Sequence, residues 1–200
     1  MTPLILASAS PRRAELLEQI GLVFRVQPAD IDETVLSGES AEHYVERLAR
    51  EKALRVATQN AASLALGSDT SVVVDGEILG KPESQAEAES MLTRLSGRSH
   101  QVMTAVALAQ GAHCKSCLVI TSVSFRVLSE AEIKRYVASG EPMDKAGSYG
   151  IQGLGGIFVS ELKGSYSAVV GLPLQETAEL LADAGHPVWQ SWPRSKESQT

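Results

Sequence analysis

The chain has 200 residues, 44% of them hydrophobic and 21% charged, with a formal net charge of −6. That length suits one α/β domain with a real core, and the acidic balance argues against a protein that coats nucleic acid or an anionic membrane. No apolar run approaches the roughly 18 residues a membrane span needs, and no export signal opens the chain, so the cytoplasm is the expected compartment.

In chain order, residues 4–7 read as a buried strand and 11–20 as a helix, with Ser10 at the N-cap, Pro11 at the first helical position and Gly21 closing it. Arg12 and Arg13 then stand where the helix end is already partly positive. A small-residue turn entering a helix offers free N–H groups to a phosphate, and arginine forks suit phosphate oxygens. This stretch alone leaves open either a bound anion or two solvated arginines. No Walker A loop and no dinucleotide fingerprint occurs.

Residues 22–26 read as a second strand running into the acidic loop PADIDET, which supplies Asp30, Asp32 and Glu33. Ser40 caps a helix to about residue 59. Its apolar seam is Ala41, Val45, Leu48, Ala49, Ala53 and Val56, with Glu42, Glu46 and Arg50 on the outer face. Lys52 falls on the seam, where it must snorkel, pair with a carboxylate or line a cavity.

Residues 64–68 and 71–75 read as strand segments interrupted by Asp69, and Asp75-Gly76 as a hairpin turn into 77–79. A carboxylate at the end of a buried strand needs a partner or a metal. Lys81 follows where the chain leaves the hairpin. Ser84 caps a helix to about residue 95, and strands near 100–109 and 117–127 are joined around Gly111. Ser129 and Glu132 form a capping box for a helix ending at Gly140. The loop AGSYGIQGLGG leads to predicted strands 157–162 and 166–170 about Gly164-Ser165, then a last helix over 173–184. The organisation expected is one domain over 1–185 and a loose polar tail over 186–200.

Cys114 and Cys117 form a lone C-x-x-C that could be a redox pair or, with His113, half a zinc site. No second ligand pair stands at zinc spacing, and the motif opens a strand, so two incidental reduced thiols are expected. The cations Arg12, Arg13, Lys52 and Lys81 beside Glu33 and Asp69 are a mixture that phosphoanhydride hydrolysis uses, or an ordinary set of surface ion pairs.

LASASPRRAELL, ADIDET, AREKA, GSDTSVVVDGEILGKP, SGEPMDKAGSYGIQG and VVGLPL, running in order from about residue 3 to 182, resemble the Maf family of nucleotide pyrophosphatases. The resemblance implies a Maf/inosine-triphosphatase-like α/β fold, a long curved mixed sheet with flanking helices and a central cleft between two lobes. It implies hydrolysis of a nucleoside triphosphate to the monophosphate and pyrophosphate with Mg²⁺ or Mn²⁺, by a homodimer. By motif, Ser8, Ser10, Arg13, Lys52, Lys81 and Lys145 match phosphate-binding positions, Asp69 the catalytic aspartate, and Glu33 with Asp69 the metal-binding acids. Arg12, Thr70 and Gln152 match the branch acting on dTTP and UTP. An acid stands in place of Gln152 in the branch that acts on 7-methyl-GTP. Ser68 departs from the dTTP/UTP branch, where alanine is common. The other classes are a nucleotide-sensing regulator, since Maf proteins are linked to arrest of septation, and a phosphosugar enzyme using the same cradle.

Overall fold

The computed structural model describes residues 2–192. Among these residues seven strands form one mixed sheet, in which 25–26, 4–6, 64–74, 99–110, 113–125 and 159–163 lie side by side in that order and 77–79 pairs with 64–74 off that path. They are β1 (Leu4–Leu6), β2 (Arg25–Val26), β3 (Leu64–Val74), β4 (Glu77–Leu79), β5 (Ser99–Gln110), β6 (His113–Phe125) and β7 (Val159–Lys163). β1 runs parallel to β2 and β3, while β5, β6, β7 and the short β4 pair antiparallel. The helices are α1 (Pro11–Gln19), α2 (Ala41–Gln59), α3 (Gln85–Leu95), α4 (Glu130–Val137), α5 (Tyr166–Val170) and α6 (Leu174–Asp183). No helix among the described residues is long and apolar enough to cross a membrane.

The two faces of β3 differ because alternate side chains point opposite ways. Ala65 and Val73 join a core of small residues with Ala49, Ala53 and Ala57 of α2 and Ala105, Ala107 and Ala109 of β5. On the other face, Leu64 and Leu66 pack with Leu16, Leu17 and Leu181 from α1 and α6. Val72 and Val74 pack instead with Leu92, Leu95 and Ile133 from α3 and α4. Between these two apolar clusters lie the polar residues Ser68, Thr70 and Thr104, the last two in register across β3 and β5. Polar groups on a sheet face cannot join either core without partners, so the face divides into two lobes at this band.

Several elements differ from the sequence reading. β3 is one unbroken strand of 11 residues, because Asp69 keeps its backbone in the ladder opposite Ala105. β2 has only two residues. Residues 166–170 form a helix, not a strand: the Ser165 side chain accepts from the Ala168 N–H at its start, and Gly171 stops it at φ 133°. The β-branched Val169 and Val170 gave the strand pattern, and the cap overrides it. Glu46 and Arg50 are not on a solvated face. Both bond the Ser116 hydroxyl of β6, at 2.7 and 2.8 Å. The tail is not loose to residue 192, since Trp192 donates its indole N–H to the Ile20 carbonyl at the end of α1. The remainder of that tail lies outside the described residues. Cys114 packs into the α2-side core and Cys117 into the α1-side core, on opposite faces of β6.

Candidate active site

On its β1 side, β3 is paired at residues 64–66 by β1 and at 72–74 by β4, which leaves residues 67–71 bonded on that edge to neither strand. The chain leaves β1 there through Ala7-Ser8-Ala9-Ser10 and enters α1. Ligands of open α/β sheets bind at such carboxyl-terminal strand ends. A cleft of about 820 Å³ occupies the gap, and its wall includes Ser8, Ser10, Arg12, Arg13, Glu33, Lys52, Asp69, Thr70, Lys81, Lys145 and Gln152. These eleven residues, matched to the site by motif, therefore meet in one place. Asp30 and Asp32 do not reach it; Asp32 accepts from the backbone N–H and hydroxyl of Thr34 within its own loop.

The carboxylates are brought in by α2. Ala49 and Ala53 press on Gly67 so closely that a Cβ there would stand 2.3 Å from the Ala49 carbonyl oxygen and 2.6 Å from the Ala53 nitrogen. That approach sets Lys52 over Asp69, two residues along the same strand face. Lys52 Nζ donates to Asp69 Oδ1 at 2.7 Å and meets Glu33 Oε1, also at 2.7 Å. Lys52 is 7% exposed and Asp69 8%, so the seam lysine pairs with carboxylates and does not snorkel. Burial pushes the Asp69 carboxyl above its ordinary range, and the charges of Lys52 and Arg13 only partly offset that. Glu33 arrives on an irregular loop pinned from α2. Tyr44 donates its hydroxyl to the Glu33 carbonyl at 2.9 Å, and Arg47 forks onto Glu39 while reaching the Thr34 carbonyl.

Arg13 is held on three sides. Its Nε donates to the Gly171 carbonyl at 2.8 Å, and its two terminal nitrogens donate to Ser8 Oγ at 3.1 Å and Thr70 Oγ1 at 3.3 Å. Desolvation lowers its pKa, with Asp69 acting against the shift, yet an arginine remains charged. Two of its five N–H donors are left over by these bonds. The Ser10 side chain makes no capping bond, although its residue holds the N-cap position. Arg12 faces Asp144 at 3.7 Å across the cleft.

The far wall is the segment after α4. Lys145 Nζ donates to the Glu141 carbonyl and to Asp144, both at 2.6 Å. Gln152 is exposed, on a turn whose amides at Leu154 and Gly155 donate to the Glu141 carboxylate. Burial opposes ionisation of Glu141, but these donors, Tyr136 and Lys145 together hold it below its usual range. Tyr44 and Glu141 were not anticipated from sequence. Tyr44 lies one position short of the seam residue Val45, and Glu141 passed as an ordinary residue after a helix-ending glycine.

Among the described residues no group of three or more His, Cys, Asp or Glu is placed to hold a metal. Glu33 and Asp69 nevertheless converge on one point, the Lys52 ammonium. Two carboxylates with phosphate oxygens and water are a donor set that suits Mg²⁺, which rarely takes a full protein cage. The residues present fit such an ion. Five cations and four carboxylates line the cleft of a chain that is acidic overall, an arrangement suited to a polyanion bound with a cation.

The family model described as Maf-like protein matches residues 3–184. A dTTP/UTP pyrophosphatase of Escherichia coli O157:H7 is 57% identical over 184 residues, covering 92% of this chain and 93% of that protein. One of Colwellia psychrerythraea is 56% identical over 187 residues, covering 91% and 88%. A protein of Shigella flexneri called a nucleoside triphosphate pyrophosphatase is 56% identical, with 92% and 93% covered. Among solved structures, a HAM1 protein from Coxiella burnetii superposes with a TM-score of 0.51 at 18% identity, over 92% of this chain and 100% of that one. That likeness is one of fold, and the mixed α/β fold expected from the motifs is the one observed. By the extent of the family match and the identity of these relatives, the chain belongs to the Maf family.

Proposed function

We propose that this protein hydrolyses nucleoside triphosphates, dTTP and UTP foremost, to the monophosphate and pyrophosphate with a divalent cation. The observation that carries the reading is the buried Lys52–Asp69 pair, met by the exposed Glu33 carboxylate, on the wall of a cleft lined by four further cations. It is supported by relatives named dTTP/UTP pyrophosphatase at 56–57% identity.

In this reading Arg13, Lys52, Lys81 and Lys145 bind the triphosphate, with Ser8 and Ser10 at the mouth of α1. Arg13 enters pre-oriented by Ser8, Thr70 and Gly171, so little ordering remains when a phosphate binds. Asp69 orients a water molecule whose oxygen bonds to phosphorus of the α–β anhydride. The bridging P–O bond breaks with its electron pair leaving on the departing group, and the water proton passes to the Asp69 carboxylate. A carboxyl raised by burial is a better base at neutral pH than one near 3.9. Glu33 and Asp69 would hold Mg²⁺ or Mn²⁺, which supplies neutralisation of phosphate charge. Gln152 donates and accepts at once, as a thymine or uracil edge requires. Arg12 and Thr70 complete the choice of substrate, Thr70 by holding the Arg13 fork. A homodimer goes with this reading, and sedimentation of the purified chain tests it.

Product analysis tests the chemistry. The expected products from dTTP are dTMP and pyrophosphate, with turnover lost in chelator and restored by Mg²⁺ or Mn²⁺. Orthophosphate with dTDP, or full turnover in chelator, would overturn the reading.

A further inference from the structure

Outside Glu33, Lys52 and Asp69, the most heavily bonded carboxylate on the cleft wall is Glu141, which the phosphate chemistry does not use. Its Oε1 accepts from the Tyr136 hydroxyl at 2.9 Å and the Gly155 N–H at 3.1 Å, and its Oε2 accepts from the Leu154 N–H at 2.9 Å. The Tyr136 oxygen in turn accepts from the Gly150 N–H at 3.1 Å. Two side chains thus tie both ends of the turn from Gly150 to Gly155, and Gln152 rides in its middle.

The turn closes tightly on this pair. A Cβ on Gly153 would stand 2.5 Å from Glu141 Oε2, and one on Gly155 would stand 2.8 Å from the Tyr136 hydroxyl. The glycines are therefore spaced for contact with a carboxylate and a phenol, not for slackness. The same residue also faces the phosphate end, since its carbonyl accepts from Lys145 Nζ at 2.6 Å.

We propose that Glu141, with Tyr136, is a positioning residue that sets the base-reading turn carrying Gln152 in register with Lys145 on the phosphate side. The proposal rests on the pyrophosphatase reading above and deepens it. Neither residue touches the reacting atoms. Glu141 presents acceptors only, which is what three converging donors require. In Glu141→Gln a donor replaces one oxygen and meets an N–H, so one end of the turn comes free. Tyr136→Phe keeps the ring but removes the Gly150 acceptor and one donor to Glu141.

The test is steady-state kinetics of the full chain on dTTP and dCTP, whose bases present opposite donor and acceptor edges. Losing one charge-assisted bond should lower the dTTP-over-dCTP ratio of kcat/KM by about tenfold in Glu141→Gln. The loss should fall on KM, with kcat for dTTP held within about twofold, because Lys52 and Asp69 stand on other elements. Tyr136→Phe should move the ratio in the same direction, and the double variant should fall short of the product of the two effects. A ratio unchanged in both variants while wild type turns over dTTP would overturn the clamp alone. A fall in kcat equal to the rise in KM at unchanged ratio would reduce it to a structural role. Absence of wild-type turnover on dTTP and UTP would remove the pyrophosphatase reading and this proposal with it. If Glu141→Gln does not fold, Tyr136→Phe decides.

Discussion

Adding one methyl group at Gly67 should damage both fold and activity. The new Cβ would lie 2.3 Å from the Ala49 oxygen and 2.6 Å from the Ala53 nitrogen, and 3.1 Å from the Ala53 Cβ. Favourable carbon contacts need about 3.5–4.0 Å, so α2 must retreat from β3 by more than ~1 Å. The colliding atoms are backbone in the middle of a helix, and no rotamer relieves them. Overpacking costs about 1–3 kcal/mol; the upper end applies here, which for a chain of this size lowers Tm by roughly 6–12 °C. The same retreat separates Lys52 on α2 from Asp69 on β3, whose 2.7 Å contact spans that interface. A misplacement of ~1 Å at a catalytic pair costs about a hundredfold in kcat. Gly67→Ala should be measured by thermal unfolding and by pyrophosphate release, with Gly80→Ala as the stability control, since nothing lies within 4 Å of its Cβ position. Adding Ala53→Gly should not rescue it, because that change removes the side chain and leaves the backbone clash. An unchanged Tm and kcat in Gly67→Ala would refute the claim that this contact sets the Lys52–Asp69 pair.

Two further outcomes follow from the fold. His100 is buried between Phe125 and Tyr149, and burial brings its pKa down to about 4. The unfolded chain takes up a proton near 6.5 while the folded chain resists until about 4, so stability is full above 6.5 and falls as pH drops through that window. The loss amounts to about 3 kcal/mol. Urea titrations at pH 7 and pH 4.5 on wild type and His100→Gln measure it, and a window of equal depth in the variant would contradict the assignment. Cys114 and Cys117 pack into cores on opposite faces of the sheet, so oxidation of the native protein should give no intramolecular disulfide. Two titratable thiols should remain in the denatured, oxidant-treated chain, and a loss of both as a monomeric disulfide would contradict the β6 register.

Much of this site could be read from the chain because its chemistry is local. Ser10-Pro11 announces the start of α1, and the helical spacing of Leu48, Lys52 and Val56 puts the lysine on the apolar seam, although snorkelling, pairing and lining a cavity all remained open there. What escaped reading depends on contacts distant in sequence. Asp69 looked like a strand end because a carboxylate rarely sits inside a ladder; Lys52, 17 residues earlier, and the charge of Arg13 compensate it there. Residues 166–170 carry β-branched side chains, and a serine cap with a glycine stop outweighs them over a single turn. Glu141 drew no notice in S-G-E-P, although the close spacing of Gly150, Gly153 and Gly155 was a signal that something approaches that backbone. The docking of Trp192 on Ile20 joins residues 172 apart, which no local pattern encodes.

In the proposed reaction Asp69, set by Lys52 and Glu33, activates water for cleavage of a nucleoside triphosphate. Pyrophosphate release across the nucleoside triphosphates with Mg²⁺ or Mn²⁺, on wild type and Asp69→Asn, tests it most directly. Turnover should be greatest on dTTP and UTP, and a folded Asp69→Asn variant should lose roughly a thousandfold or more of it. Equal turnover by Asp69→Asn, or a wild type that releases pyrophosphate from neither dTTP nor UTP, would contradict it.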